Sequence, residues 1–267
     1  MQNIILSGAT RGLGLELLKH FANKNYNLIL ISKNSEKLIS LKKKFSRKGI
    51  NLHVYPVDIC KVHELKKIVK KILIKFKRID ILINNAGIWG PIGSFEKSMW
   101  SKWIEALNIN LIASIYLVKS VLPCMKKNNF GRIIQLSGGG ATAPMPNFSS
   151  YAVSKTGIVR FVETISEECK EFNISINAVA PGAMNTRMLN IALKAGKKKL
   201  GEQYNKLLKQ KNQGGAGFNK AIGLIDFLIR NGKISGKLIS AIWDPWERKN
   251  FIKKLNDKNI YTLRRQL

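Results

Sequence analysis

Residues 7–14 read SGATRGLG, and the fold turns on how this stretch is read. It follows a short apolar run at 3–6 and precedes a helix-like pattern over about 12–23. Gly8, Gly12 and Gly14 let the chain turn tightly and leave its backbone open to close approach. A helix that begins at such a turn points unpaired N–H groups forward, which suits a pyrophosphate. Alone, a glycine-rich turn says little. Placed between a first strand and a first helix, it predicts the opening unit of an α/β sheet.

Outward from this unit the alternation continues. Apolar runs at 28–31, 52–57, 79–83, 131–136, 174–179 and 238–242 are separated by helix-like stretches. One long helix is predicted over 104–127, with Pro123 bending or ending it, and another, carrying Tyr151, that runs to about Phe172. Apolar runs flanked by helices are strands buried on both faces. The predicted fold is α/β: a Rossmann-like, doubly wound parallel sheet of about seven strands with helices on both faces. The whole chain, 1–267, reads as a single domain, with a polar, lid-like insertion at about 184–217 and a basic tail at about 243–267.

Composition narrows the function classes. The 267 residues are 45% hydrophobic, enough for an ordinary core. Cys60, Cys124 and Cys169 lie far apart and form neither a metal-ligand spacing nor an even disulfide set, so no metal is expected and the thiols read as buried and reduced. The first residues lack a basic leader, and no apolar run reaches the ~18 residues of a membrane span, which predicts a cytoplasmic protein with no membrane partner. The formal charge is +30, a field that attracts anions of any kind. Its lysines are scattered on predicted helix faces. In 64–78, Leu65, Ile68, Val69, Ile72, Leu73 and Phe76 form the apolar stripe and lysines take the wet side. Specific nucleic-acid binding would want a compact stripe with interleaved aromatics, so none is expected.

Two further stretches carry chemistry. After the second strand, ISKNSEK (31–37) offers Lys33 where a carboxylate would bind a ribose 2′-hydroxyl, and Arg11 stands in the glycine loop. Two cations and no acid favour NADP (NADPH) over NAD. In SGGGATAPMPNFSSYAVSK (137–155), Tyr151 and Lys155 are four apart, on one face of a helix. A phenol beside an ammonium is a candidate proton donor.

These stretches, with Asp58 after the third strand, NNAG (84–87), Asn110 in NINL, and APG followed by Thr186, stand in the order of the short-chain dehydrogenase/reductase family, which the chain resembles over about residues 3–240. The resemblance implies the following roles. Gly8, Thr10, Arg11, Gly12, Leu13 and Gly14 form the phosphate loop, and Lys33 faces the 2′-phosphate. Asp58 and the Ile59 backbone hold the adenine, and Asn85, Ala86 and Gly87 line the cofactor ribose. Pro181, Gly182, Met184 and Thr186 meet the nicotinamide end. Tyr151 is the acid/base, Lys155 lowers its pKa and holds the nicotinamide ribose, and Asn110 interrupts its helix and orders a relay water.

The chain departs from the family at two places. The family hydroxyl stands about thirteen residues before the tyrosine, where this sequence has Gly138; Ser137 is one earlier and is the expected replacement. Thr142 is a possible substitute, and Ser149 and Ser150 suit a helix cap. At the end of the last strand, GKLISAIWDPWERKN (236–250) puts two tryptophans where paired glycines are common; they either shape a substrate wall or pack. The function implied is an NADP-dependent oxidoreductase that interconverts a hydroxyl and a carbonyl on a small molecule. A 3-oxoacyl thioester, a sugar or another anionic metabolite fits the basic lid. The alternative is a cofactor-binding regulatory protein without turnover. A homo-dimer or homo-tetramer is expected on the helices carrying Asn110 and Tyr151, with Glu163, Glu167 and Glu171 in one row facing Lys119, Lys126 or Lys127 of a partner copy.

Overall fold

The structure, a computed structural model, describes residues 1–47, 49–255, 257 and 259–264. Among them seven strands form one sheet: β1 (Gln2–Ser7), β2 (Tyr26–Ser32), β3 (Leu52–Pro56), β4 (Ile81–Asn84), β5 (Gly131–Leu136), β6 (Ile174–Ala180) and β7 (Leu238–Ser240). Their spatial order is β3-β2-β1-β4-β5-β6-β7, and every neighbouring pair is parallel. The order reverses between β1 and β4, and the crevice beyond the strand ends at such a switch point is where ligands bind in open α/β sheets.

Both faces are covered. On one, α1 (Gly12–Ala22), α2 (Ser35–Ser46) and α10 (Phe218–Arg230) pack on Ile4, Leu6, Leu28, Leu30 and Ile134. On the other, α3 (Val62–Phe76), α5 (Ala113–Lys127) and α6 (Ser149–Glu168) pack on Ile5, Ile29, Leu82 and Ile133. Odd and even strand positions thus feed different cores, as period-two alternation requires. The α3 stripe is buried at Leu65, Val69 and Ile72 while its lysines stay wet. Each buried aliphatic side chain there contributes about 1.5–3 kcal/mol.

Four sequence expectations are revised. The helix predicted over 104–127 starts earlier, as α4 (Trp100–Leu107), and is broken by a π-turn at Asn108–Ile112 before α5. Pro123 lies inside α5 and does not end it. The combined Trp100–Lys127 segment is long and apolar enough to cross a membrane by length and composition, which the sequence reading had missed; Leu117, Val118, Val121 and Met125 nevertheless pack in the core. The Tyr151 helix stops at Glu168, before a turn in which Phe172 N–H reaches Cys169 O at 2.9 Å.

Between β6 and α10 the chain forms α7 (Arg187–Ala195), α8 (Lys197–Leu200) and α9 (Gln203–Asn212). An antiparallel bridge between Met184 and Gly215 closes this excursion at its root. The chain end covers the β7 edge: Leu238 N–H donates to Tyr261 O at 2.7 Å, and buried Lys237 donates to Asp257 O (2.6 Å) and Ile260 O (3.0 Å). Glu163 is buried, pairs with Arg160 and accepts from Leu263 N–H (2.6 Å) and Arg264 (3.1 Å). It serves its own chain, so the acidic row expected at an interface reduces to Glu167 and Glu171. Residues 265–267 of the predicted tail lie outside the described residues. The two tryptophans divide: Trp246 packs on α10 near Gly223, whereas Trp243 is 85% exposed at the rim of the cleft.

Candidate active site

Along the strand ends at the switch point runs one cleft of about 1560 Å³. The glycine loop forms its floor. Gly8 has φ +70°, and a Cβ there would stand 2.8 Å from Ala86 Cα, so the loop and the 84–87 segment touch backbone to backbone. Asn85 fastens the contact: its Nδ2 donates to Ser7 O and Gly8 O, both at 3.1 Å, and Ser7 Oγ accepts from Asn85 N–H (3.1 Å) and Ala86 N–H (3.2 Å). No side chain caps the first turn of α1, whose N–H groups therefore face the cleft end unsatisfied by the protein.

Electrostatics at this end differ from expectation in one respect. Lys33 Nζ lies 2.6 Å from Asp58 Oδ2, and the Asp58 Oδ1 accepts from Cys60 N–H at 3.1 Å. Burial pushes the Asp58 carboxyl up, but the Lys33 hydrogen bond, the Cys60 amide and nearby lysine charge outweigh it and hold it below the usual carboxylate range. Lys33 is thus shared with Asp58, and Arg11 is the cation with no carboxylate partner among the described residues. The Arg11 pKa is lowered, first by burial and then by the charge of Arg187 at the start of α7.

At the other end sit Tyr151 and Lys155. The π-turn puts Asn110 behind them: its Oδ1 accepts from Ile88 N–H (2.9 Å), and its Nδ2 donates to Ile88 O (2.9 Å) and Ser154 Oγ (3.0 Å). A single wide turn in an otherwise regular helix is a common mark of a functional position. Lys155 Nζ donates to Leu136 O at 2.6 Å and lies 5.6 Å from the centre of the Tyr151 ring. Tyr151 is 8% exposed. Burial pushes its phenol up to about 12 and brings Lys155 down to about 8. Lys155 alone does not draw the phenol toward working pH: in the free protein, desolvation sets the direction. The phenol keeps its proton, which suits a donor. Lys155 loses its charge as pH rises through about 8, while Tyr151 stays protonated. The pH profile of kcat/KM for the nicotinamide cofactor, which reports free-enzyme groups, is therefore expected to be level on the acid side and to fall above about 8. A fall that begins only near the ordinary lysine value of about 10.4 would contradict it.

The serine question resolves into two observations. Gly138 is extended (φ −178°), and a Cβ on it would come closer than 3.0 Å to Tyr151 Oη. The tyrosine oxygen thus rests where a side chain at 138 would begin. Ser137 lines the same cleft, and its Oγ is buried with no hydrogen-bond partner. Thr142 lines the cleft as an exposed residue. Neither Ser149 nor Ser150 caps α6, as had been expected: Ser149 Oγ accepts from Trp103 Nε1 at 3.0 Å, and Ser150 Oγ donates to Trp89 O at 3.3 Å.

Of the residues expected at the site, all but Gly14 and Asn110 line this cleft. Gly14 is packed against Gly8 O, and Asn110 is buried one layer behind. Sequence reasoning missed Trp89, whose ring lies 4.5 Å from that of Tyr151, and Arg187 and Met188 at the start of α7. A signal was present for Arg187, which directly follows Thr186. The Thr186 Cγ2 lies 3.7 Å from where a Cβ on Gly12 would stand, so the root of the excursion overlies the glycine loop. The cleft suits a dinucleotide: a glycine cradle without room for side chains, a free guanidinium at one end, and an unpartnered buried hydroxyl at the other.

Comparison with known proteins agrees. The chain is 28% identical over 211 residues to an uncharacterized oxidoreductase, YxjF, of Bacillus subtilis, covering 78% of this chain and 81% of that one. It is 30% identical over 184 residues to the 3-oxoacyl-[acyl-carrier-protein] reductase FabG of Thermotoga maritima, covering 69% and 74%. Among solved structures, YwfH, an NADPH-dependent reductase involved in bacilysin biosynthesis, superposes with a TM-score of 0.80 at 24% identity, covering 93% and 98% of the two chains; at that identity the likeness speaks for the fold. The model of the short chain dehydrogenase family matches residues 2–195, and with the switch-point cleft and its Tyr151–Lys155 pair this places the chain in that family of nicotinamide-dependent oxidoreductases.

Proposed function

We propose that the protein is an NADPH-dependent reductase that converts a carbonyl to a hydroxyl, with the reverse oxidation available. The observation that carries this reading is the protonated, buried Tyr151 phenol at the cleft wall with Lys155 beside it. When bound, the reduced nicotinamide supplies a hydride to the carbonyl carbon and is oxidised in doing so. The chain supplies the rest. Tyr151 Oη gives a proton to the carbonyl oxygen, and Ser137 Oγ donates the second hydrogen bond that polarises it. Asn110 holds the 88 backbone in place, Lys155 is placed to hold the nicotinamide ribose, and the phenol takes its next proton from solvent. Gly8, Thr10, Arg11, Gly12 and Leu13 cradle the phosphates. Asp58, Ile59, Asn85, Ala86 and Gly87 line the adenosine and ribose positions, and Pro181, Gly182, Met184 and Thr186 close the nicotinamide end, with the 184–217 excursion as the lid. The intact Asn110, Tyr151 and Lys155 set argues against a protein that only binds cofactor.

Preference for NADPH rests on Arg11, supported by Lys33. NADPH is expected to bind at least ~10-fold tighter than NADH, about 1.4 kcal/mol. Arg11→Ala narrows that gap more than Lys33→Ala, because Asp58 already shares the lysine. Fluorescence titration of both cofactors measures it, and equal affinities in the parent protein would refute the assignment. Turnover of NADPH with a carbonyl panel tests the reaction itself.

The α5–α6 face supports self-association. Ile112 is 43% and Val153 49% exposed, apolar side chains on the helices that carry the site. A homo-dimer or tetramer is expected in sedimentation at low micromolar concentration; a clean monomer would rule it out.

A further inference from the structure

Charge is unevenly distributed along the cleft. Arg11, Lys33 and Asp58 line the glycine-loop end. Around the Tyr151 ring the lining changes to Trp89, Met145, Met188 and Leu207. These four belong to a third apolar cluster, separate from both sheet cores, built on Phe148, Tyr151, Ala192 and Leu200. Trp89 sits between Tyr151 (ring centres 4.5 Å, tilted 58°) and Phe148 (4.9 Å).

Apart from Tyr151 Oη and the unpartnered Ser137 Oγ, two polar groups at this end are committed within the protein. Trp89 Nε1 donates to Met188 O at 2.7 Å, so the tryptophan offers the cleft only its ring. Gln210 Nε2 donates to Met184 O at 3.1 Å. The lid lysines Lys194, Lys197, Lys198, Lys199 and Lys209 are exposed and do not line the cleft. Apart from Arg187, which lines the cleft at the root of the lid toward Arg11, the positive charge of the lid lies away from the cleft, which weakens the case for an anionic or sugar-like substrate at the Tyr151 end.

The geometry points to an uncharged, apolar ketone or aldehyde, its carbonyl oxygen at Tyr151 and its hydrocarbon body between the Trp89 ring and the Met145 and Met188 thioethers. This rests on the reductase reading and adds the substrate class. A wall of methionines adapts its shape to the guest, so a range of aryl and medium-length alkyl groups is accommodated. A polyol or a carboxylate seated against Trp89, Met145 and Met188 would lose water there without gaining polar partners from those side chains. Each methylene that the chamber buries is worth roughly fourfold in binding.

The test uses the full-length enzyme and two readouts. With NADPH, kcat/KM is measured for acetophenone-type and alkyl methyl ketones, for dihydroxyacetone and for acetoacetyl-coenzyme A. The apolar ketones are expected to exceed the other two at least ~10-fold. Met188→Gln, similar in volume but polar, is expected to cut the advantage several-fold while the Kd for NADPH stays unchanged. In parallel, apolar secondary alcohols are expected to raise the melting temperature of the NADP-loaded protein, and glycerol-like polyols to leave it unmoved. Preference for the polyol or the thioester overturns the substrate class and leaves the reductase reading standing. No turnover with any carbonyl, together with a melting shift from the apolar alcohols, overturns the reductase reading and leaves the chamber's ligand class standing. No shift and no turnover overturns both.

Discussion

Tyr151→Phe is expected to bind NADPH as the parent does and to lose at least ~10³-fold in kcat, toward the upper end of what one positioned general acid contributes. The phenylalanine ring keeps its packing against Trp89 and Phe148, the latter fully buried, so the fold should not change. Only the proton is lost. The buried phenol, pushed up to about 12, is a reluctant phenolate and a ready donor, with Lys155 5.6 Å from its ring centre. Single-turnover kinetics with bound NADPH separates the chemical step from binding. Activity within a few-fold of the parent would mean that the proton comes from elsewhere and that the site has been misassigned.

Gly138→Ser places a hydroxyl where the family resemblance expects one, yet it is expected to lower kcat by about 10²-fold, the order of loss that a 1 Å displacement of a reacting group causes. The reason is steric. A Cβ at 138 would stand closer than 3.0 Å to Tyr151 Oη, and the Tyr151 ring is buried against Trp89, which leaves it little freedom to shift. The same substitution in a site built around serine would be a gain. Ser137→Ala tests the complementary statement. Loss there, with Gly138→Ser also impaired, assigns the hydrogen bond to Ser137. A Gly138→Ser variant faster than the parent would show that the tyrosine has room to move and that the parent lacks a needed hydroxyl.

Much of this was legible before any coordinates. The strand pattern is carried by apolar runs buried on both faces, a signal that survives a lysine-rich composition because lysines take only the wet side, as in α3. The phosphate loop was readable because its glycines are imposed by contacts, Gly8 against Ala86 above all. What escaped was long-range. Nothing local to Lys33 announces that Asp58, twenty-five residues on, will share it. Glu163 looked like one of a row facing a partner copy because helical spacing cannot show that Leu263 and Arg264 return to it from the chain end. Ser149 and Ser150 stood where cap residues stand, but Trp103 and Trp89, from other elements, took their hydroxyls. The upward push on the Tyr151 phenol was not legible because the sequence displays the neighbouring ammonium and hides the burial. Trp89 was passed over for the same reason: its meaning lies in a contact with the Tyr151 ring, which another element brings to it.

The central claim is that Tyr151 protonates a carbonyl oxygen while the adjacent carbon is reduced. Incubating the enzyme with NADPH deuterated on the transferring position and an apolar ketone, then analysing the alcohol by mass spectrometry, tests it most directly. The account predicts one deuterium on the carbinol carbon, predominantly one enantiomer of the alcohol, and no product from Tyr151→Phe above its ~10³-fold reduced rate. Alcohol without deuterium, or deuterated alcohol formed equally fast by Tyr151→Phe, would contradict it.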